Sequence, residues 1–184
     1  MDRFFLSSGL WADSLSLTGD EAHHCRRVMR KKVGDQIEIF DGEGRFAIVS
    51  ISGMTSNEVS LEFISKGETP KVTPEIEIAV GIPKGKTFDL IIQKAVELGV
   101  SLIQPLVTDQ GNIRMTDKDH GSKKAKWQRV ALEACKQCGQ NFVPEVFAPR
   151  ELSSWLSDES GSVKFVGALQ PGALPLRLLL ENFQ

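Results

Sequence analysis

Residues 75–107 read EIEIAVGIPKGKTFDLIIQKAVELGVSLIQPLV, and two different periods meet inside them. Residues 75–82 alternate apolar with polar side chains, as a strand does; over 87–98, Phe88, Ile91, Ile92 and Ala95 recur at helical spacing. Gly99 sits where a left-handed helix cap belongs, and 100–107 again reads as a strand. Strand, helix and strand in so short a span predict a βαβ unit with parallel strands. Downstream the alternation continues. A helix is expected over about 122–138, with Trp127, Val130, Ala131, Ala134 and Cys138 on one face. A strand at 143–147, a short helix at 152–156, a strand at 163–169 and an apolar helix at 176–180 follow. The expectation is an α/β half whose parallel sheet is covered on both faces. Ligands of such sheets sit beyond the carboxyl ends of the strands. A series that stops on a helix, before a further strand, is expected to lack part of that pocket.

Upstream the pattern is different. Residues 66–74, KGETPKVTP, combine Gly, two Pro and charge without an apolar period, which suits a linker and divides the chain into domains 1–70 and 71–184. In the first domain, 36–41 (QIEIFD), 45–52 (RFAIVSIS) and 57–64 (NEVSLEFI) alternate with period two between Gly-rich turns, as hairpins do. With 3–6 (RFFL) added, a small β-barrel is expected. Thr18-Gly19-Asp20-Glu21 fits a capping box, so one helix should begin near Gly19 and run to about Lys32.

Charge is distributed unevenly along the 184 residues. The formal net charge is −2, yet Arg26, Arg27, Arg30, Lys31 and Lys32 put five cations into seven positions, and nothing from His23 to Val33 is acidic. At about 100° per residue His23, Arg26, Arg27 and Arg30 fall on one helix face, opposite Ala22, Cys25 and Met29. A row of guanidinium forks suits a polyphosphate backbone, while a solvated helix face is the plain alternative. Hydrophobic residues make up 41% of the chain, enough for a proper core, which excludes a disordered chain. No run of about 18 apolar residues and no signal-like N-terminal core occur, so neither a membrane span nor export is expected. The expected compartment is the cytoplasm, where the three cysteines stay reduced.

Three patterns fail on chemistry. Gly81-Ile82-Pro83-Lys84-Gly85-Lys86-Thr87 ends like a phosphate-binding loop, but such a loop needs four residues between its glycines and this one has three, with Pro83 removing an amide. Cys135-Lys136-Gln137-Cys138 has redox spacing but ends an amphipathic helix instead of starting one, so core thiols are expected. His23, His24 and Cys25 are helix neighbours pointing apart and cannot converge on a metal, and no metal is expected.

Taken in order, His24-x-x-x-Val28-Met29-Arg30, Gly34-Asp35, Asp41-Gly42, Lys84-Gly85, Gln93-Lys94-x-x-Glu97-Leu98-Gly99-Val100, Ile103-x-Pro105-Leu106, Glu133-Ala134-x-x-Gln137 and Pro144-Glu145-Val146 resemble the RsmE family along essentially the whole chain. The resemblance implies a bacterial methyltransferase that uses S-adenosylmethionine to methylate N3 of a uridine in 16S ribosomal RNA. It implies a PUA-like RNA-binding barrel, a SPOUT-type α/β domain with a trefoil knot, and a homodimer. The Gly-Pro-Glu-Gly-Gly and Leu-Gly-x-Arg-x-Leu-Arg-x-Glu-Thr-Ala segments that line the donor pocket in that family do not occur here, so the 184 residues are expected to bind the donor weakly or not at all. Gln110 and Gln140 stand where the family usually carries Arg.

Uridine N3 holds a proton at neutral pH and becomes nucleophilic as it loses it, so a base or an oxyanion stabiliser must reach it. The catalytic candidate is Glu97, whose plain alternative is an i,i+3 ion pair with Lys94. The RNA-binding candidates are His23, Arg26, Arg27, Arg30, Lys84 and Lys94. Lys84, between a strand end and a helix start, also suits the donor's carboxylate. Leu169 and Pro171, at the end of the strand expected over 163–169, are the cofactor-binding candidates. A non-catalytic RNA-binding module is the alternative reading; a small-molecule α/β enzyme is disfavoured by the basic helix. The apolar residues Leu176, Leu178, Leu179 and Leu180 predict self-association.

Overall fold

The computed structural model describes residues 1–11, 15–109, 111, 117–158 and 162–181. They form two compact units, 1–152 and 153–184. The first contains two sheets. Strands β1 (Arg3–Phe5), β2 (Leu15–Thr18), β3 (Gln36–Phe40), β4 (Arg45–Met54) and β5 (Glu58–Glu68) make a five-stranded curled sheet in the order β1-β3-β4-β5-β2. All its pairings are antiparallel except β1 with β3. Register irregularities at Ile48/Val49 and Ile51/Gly53 bend β4, which is how a flat ladder is curled around a core. The alternating residues Ile37, Ile39, Val49, Ile51, Val59 and Leu61 face that core with Phe4, Leu15, Leu17, Ala22 and Cys25.

The second sheet is parallel throughout: β6 (Glu77–Gly81), β7 (Leu102–Val107) and β8 (Glu145–Val146) pair in that order, and β9 (Arg150–Glu151) also pairs with β7. The helices are α1 (Gly19–His23), α2 (Thr87–Glu97), α3 (Asp117–Cys138), α4 (Leu152–Leu156) and α5 (Leu176–Leu180). Helices α2 and α3 cover the parallel sheet with Phe88, Ile92, Ala95, Val96, Trp127, Ala131, Ala134 and Cys135, and Lys126 of α3 pairs with Asp89 of α2 at 2.9 Å. Phe40, the last residue of β3, points into this second core, so the two halves of the unit share a wall.

The seam between the sheets is polar as well. Arg3 is almost fully buried; its Nε donates to Glu38 Oε1 at 2.8 Å and its Nη1 to the carbonyl oxygens of Cys135 at 2.7 Å and Gln140 at 3.3 Å. Its Nη2 donates to Asn141 Oδ1, and the guanidinium lies 4.4 Å from the Phe40 ring centroid. One side chain thus ties β1 to the end of α3 and to the residues that follow it. Lys136 donates to Glu21 and to Glu133; burial lowers its pKa, but the hydrogen bonds and negative charges of the two glutamates together outweigh burial and the net shift is upward. Gly42 and Gly44, both at positive φ, let the β3–β4 turn lie against residues 141–143, with Val143 N donating to Gly42 O and Gly44 N to Asn141 O. Asp41 holds that turn by accepting from the amides of Glu43 and Arg45 and from Arg45 Nε at 2.7 Å.

Several expectations are corrected. The helix beginning at Gly19 does not reach Lys32: it widens into a π turn over His24–Val28, and Arg30, at φ +54°, ends it. The capping box does not form, because Thr18 makes no side-chain cap and the Glu21 carboxylate serves Phe5 N and Lys136 instead. Part of the expected linker, through Glu68, belongs to β5, and β2 is a strand the sequence did not announce. Residues 162–169 pair with no strand among the described residues. In the unit 153–184, Lys164 Nζ donates to the carbonyls of Trp155 and Asp158, and Leu176, Leu178 and Leu180 remain exposed on α5.

Candidate nucleic-acid interface

The basic segment is displayed by the π turn. A π turn carries about one more residue per turn than an α-helix, so side chains after His24 are rotated relative to the α-helical count. Ala22 and Cys25 are buried as spacing requires, but Met29, which the α-helical count placed on the inner face, is 37% exposed. His23, Arg27 and Arg30 are exposed, while Arg26 is half-buried and its Nη1 donates to Ser56 O in the β4–β5 turn. Arg26 Nε is buried with no acceptor among the described residues. Arg26 therefore anchors the turn to the curled sheet, and the exposed cations are Arg27, Arg30 and Lys32, with His23 exposed beside them. Lys31 is occupied by Asp2 at 2.6 Å, which raises its pKa. The turn closes with Met29 N donating to His24 O and Lys31 N to Cys25 O.

The candidates on the parallel sheet lie at opposite ends of α2. Lys84 is exposed in the β6–α2 connection, at the carboxyl edge of the sheet, three residues after Gly81, which lies against Thr108. Glu97 ends α2 about 15 Å further along the helix axis, and both its carboxylate oxygens accept from Lys94 Nζ, at 2.8 and 2.7 Å. The structure thus brings Glu97 and Lys94 together and does not bring either to Lys84. Gln140 is half-buried with its carbonyl on Arg3, and Gln110 lies outside the described residues. Leu169 is fully exposed and Pro171 is exposed; an adenosyl group needs a concave, enclosed site, which these two residues do not form by themselves. Among the described residues no group of three or more His, Cys, Asp or Glu is placed to hold a metal, and no helix is long and apolar enough to cross a membrane.

Sequence reasoning missed a second cationic site on the curled sheet. Trp11, Arg45, Phe63, Lys66, Gly67 and Glu68 line a shallow cleft of about 380 Å³. Its signal was scattered: Arg45 and Glu68 are register partners on β4 and β5, but Trp11 joins them only in the fold. Cys25 and Cys135 are buried, and burial pushes their thiols up to about 11 and about 12.

A curled β-sheet carrying an exposed basic turn is followed by a parallel α/β sheet. Residues 17–64 match the RNA methyltransferase PUA domain and residues 70–181 the RNA methyltransferase domain. The second match spans more than half of the chain, which belongs to the RNA methyltransferase family, with relatives among the ribosomal RNA small subunit methyltransferase E proteins. The Bacillus subtilis relative is 34% identical over 136 residues, 73% of this chain and 53% of its own length; the relative from Buchnera aphidicola subsp. Acyrthosiphon pisum is 24% identical over 181 residues, 97% and 72%. The crystal structure of a ribosomal RNA small subunit methyltransferase E from Neisseria gonorrhoeae bound to S-adenosyl methionine superposes with a TM-score of 0.77 at 28% identity, covering 85% of this chain and 65% of that one. The fold is accordingly a PUA-like barrel followed by a SPOUT-type α/β half. The chain spans about half the length of the Bacillus relative.

Proposed function

We propose that this chain acts in the S-adenosylmethionine-dependent methylation of uridine N3 in 16S ribosomal RNA, with residues 1–70 as the RNA-binding domain and 71–184 as the methyltransferase domain of a cytoplasmic homodimer. The observation that carries this is the open basic turn: His23, Arg27 and Arg30 stand free on the half that matches a PUA domain, in a chain whose other half matches an RNA methyltransferase domain. The turn holds the RNA by its phosphates. Lys84, at the sheet edge where ligands of parallel sheets lie, meets a phosphate or the oxygen that gains charge as N3 loses its proton. For Glu97 to take that proton it would first have to leave Lys94, so its catalytic role requires a rearrangement of that pair. Leu169 and Pro171, both exposed, meet the methyl donor at an open face whose enclosure further residues must complete.

The test is salt-dependent binding of a small-subunit rRNA fragment. Each phosphate contact contributes about 0.7 to 0.9 to the log-log salt slope, so Arg27→Gln with Arg30→Gln should flatten it by about 1.4 to 1.8. Parallel lines for the two proteins would make the turn a solvated face. Arg26→Gln should leave the slope nearly unchanged and lower stability instead, since Arg26 holds Ser56.

A further inference from the structure

The cleft on the curled sheet is built unlike a merely solvated patch. Two aromatic rings, Trp11 and Phe63, stand with centroids 6.1 Å apart, both packed against the core below and half-open above. Each carries a cation: Arg45 lies 5.2 Å from the Trp11 ring and Lys66 Nζ 3.8 Å from the Phe63 ring. Trp11 is fixed by its indole N–H, which donates to Leu6 O at 2.7 Å, and Arg45 is fixed by Nε on Asp41. That leaves the Nη groups of Arg45 without an acceptor among the described residues and its side chain 43% exposed. Gly67 lines the cleft between Lys66 and Glu68. Glu68 supplies a hydrogen-bond acceptor at the rim.

Half-exposed rings, a planar guanidinium, an ammonium that a phosphate can draw off its ring and one carboxylate are the parts that hold an unpaired nucleotide. The base stacks on an aromatic face or a guanidinium plane, the phosphate takes the cations, and an exocyclic amine meets the carboxylate. An acidic peptide would use the two cations but not the rings, and it would meet Glu68 as a like charge. We propose that this cleft binds one unpaired nucleotide of the RNA substrate, stacked against Trp11 and Phe63 with its phosphate on Arg45 and Lys66. The proposal rests on the RNA reading above, and it assigns the curled sheet a second contact, with a base, besides the phosphate contacts of the basic turn.

The experiment uses the whole chain and two ligands: a base-paired small-subunit rRNA fragment, and a short unpaired oligoribonucleotide with mixed bases. The oligonucleotide should quench the fluorescence of Trp11. Quenching should vanish in Trp11→Phe, which keeps a stacking face, while affinity falls only a few-fold. Phe63→Leu should weaken oligonucleotide binding roughly tenfold or more, and Lys66→Gln, an exposed change that leaves the core untouched, should weaken it several-fold and reduce its salt dependence. Circular dichroism serves as the folding control. Wild-type protein that binds the paired fragment but not the oligonucleotide would overturn the cleft and leave the RNA reading standing; binding of neither would overturn both. Quenching that survives Trp11→Phe, or that a polyglutamate peptide matches, would also overturn the assignment.

Discussion

Arg3→Met tests whether the two halves of residues 1–152 are held by one side chain. Methionine keeps an unbranched stem against Phe40 and removes every hydrogen bond of the guanidinium. Glu38 loses its 2.8 Å partner, and Asn141 Oδ1 and Gln140 O lose their donor, whereas Cys135 O keeps the bond from Gly139 N. Breaking a buried ion pair by removing one partner costs about 3–5 kcal/mol. The Arg3 side chain is 7% exposed but that of Glu38 is 22%, which places the expected loss at about 3 kcal/mol. For a chain of this size that is roughly 6–12 °C in melting temperature, or about 1 M in urea midpoint. Adding Glu38→Gln removes the stranded charge and should restore about 1 kcal/mol or more. Urea denaturation followed by circular dichroism on the single and double variants reads both numbers. A loss below about 1 kcal/mol, or losses that simply add in the double variant, would mean that the apolar wall around Phe40 joins the halves without the arginine.

Other outcomes follow from single positions. Arg30→Gly should raise stability by about 1 kcal/mol, because a side chain at φ +54° is strained, while lowering the RNA salt slope by about 0.7 to 0.9; denaturation and binding titrations measure the opposed effects. Gly44→Ala should cost about 2 kcal/mol or more, since a Cβ there meets Phe142 Cζ at 2.6 Å and φ is +110°, whereas Gly9→Ala, in open space, should stay within about 0.5 kcal/mol. Cys25 and Cys135 stay protonated in the fold to about pH 11 and 12, against a normal value of 9.0, so the stability they contribute is full below pH 9 and is lost as pH rises toward those values. Urea midpoints at pH 8 and pH 10 should show the fall, and Cys135→Ala should reduce it.

What the sequence disclosed follows the range of the interactions. Helices α2, α4 and α5 were readable almost to the residue because their signals, apolar spacing and Gly99, are local. The Lys94–Glu97 pair was readable for the same reason. The π turn was not, since one extra residue in a turn leaves the composition of a basic helix unchanged, and the rotation it causes misplaced Met29. Residues 163–169 have the composition of a strand, but a strand also needs a neighbour's ladder, which composition does not report. Arg3 gave no signal at all: Glu38 lies 35 positions away and its other hydrogen-bond partners 132 to 138. Glu97 and Lys84 were both found as candidates, but which end of α2 each occupies matters only once the carboxyl edge of the sheet is known.

The shared wall has a consequence for how the chain is made. Residues 1–68, which contain the whole curled sheet, leave the ribosome well before α3, yet Phe40 on that sheet, with Phe5 and Phe46 beside it, packs in the core that α3 completes. During synthesis the curled sheet therefore waits with an uncovered aromatic face, and Arg3 waits beside it for a helix end not yet translated. That interval, and not the finished molecule, is when the chain is most open to aggregation, so translation pauses placed before Cys138 should prolong its exposure to chaperones.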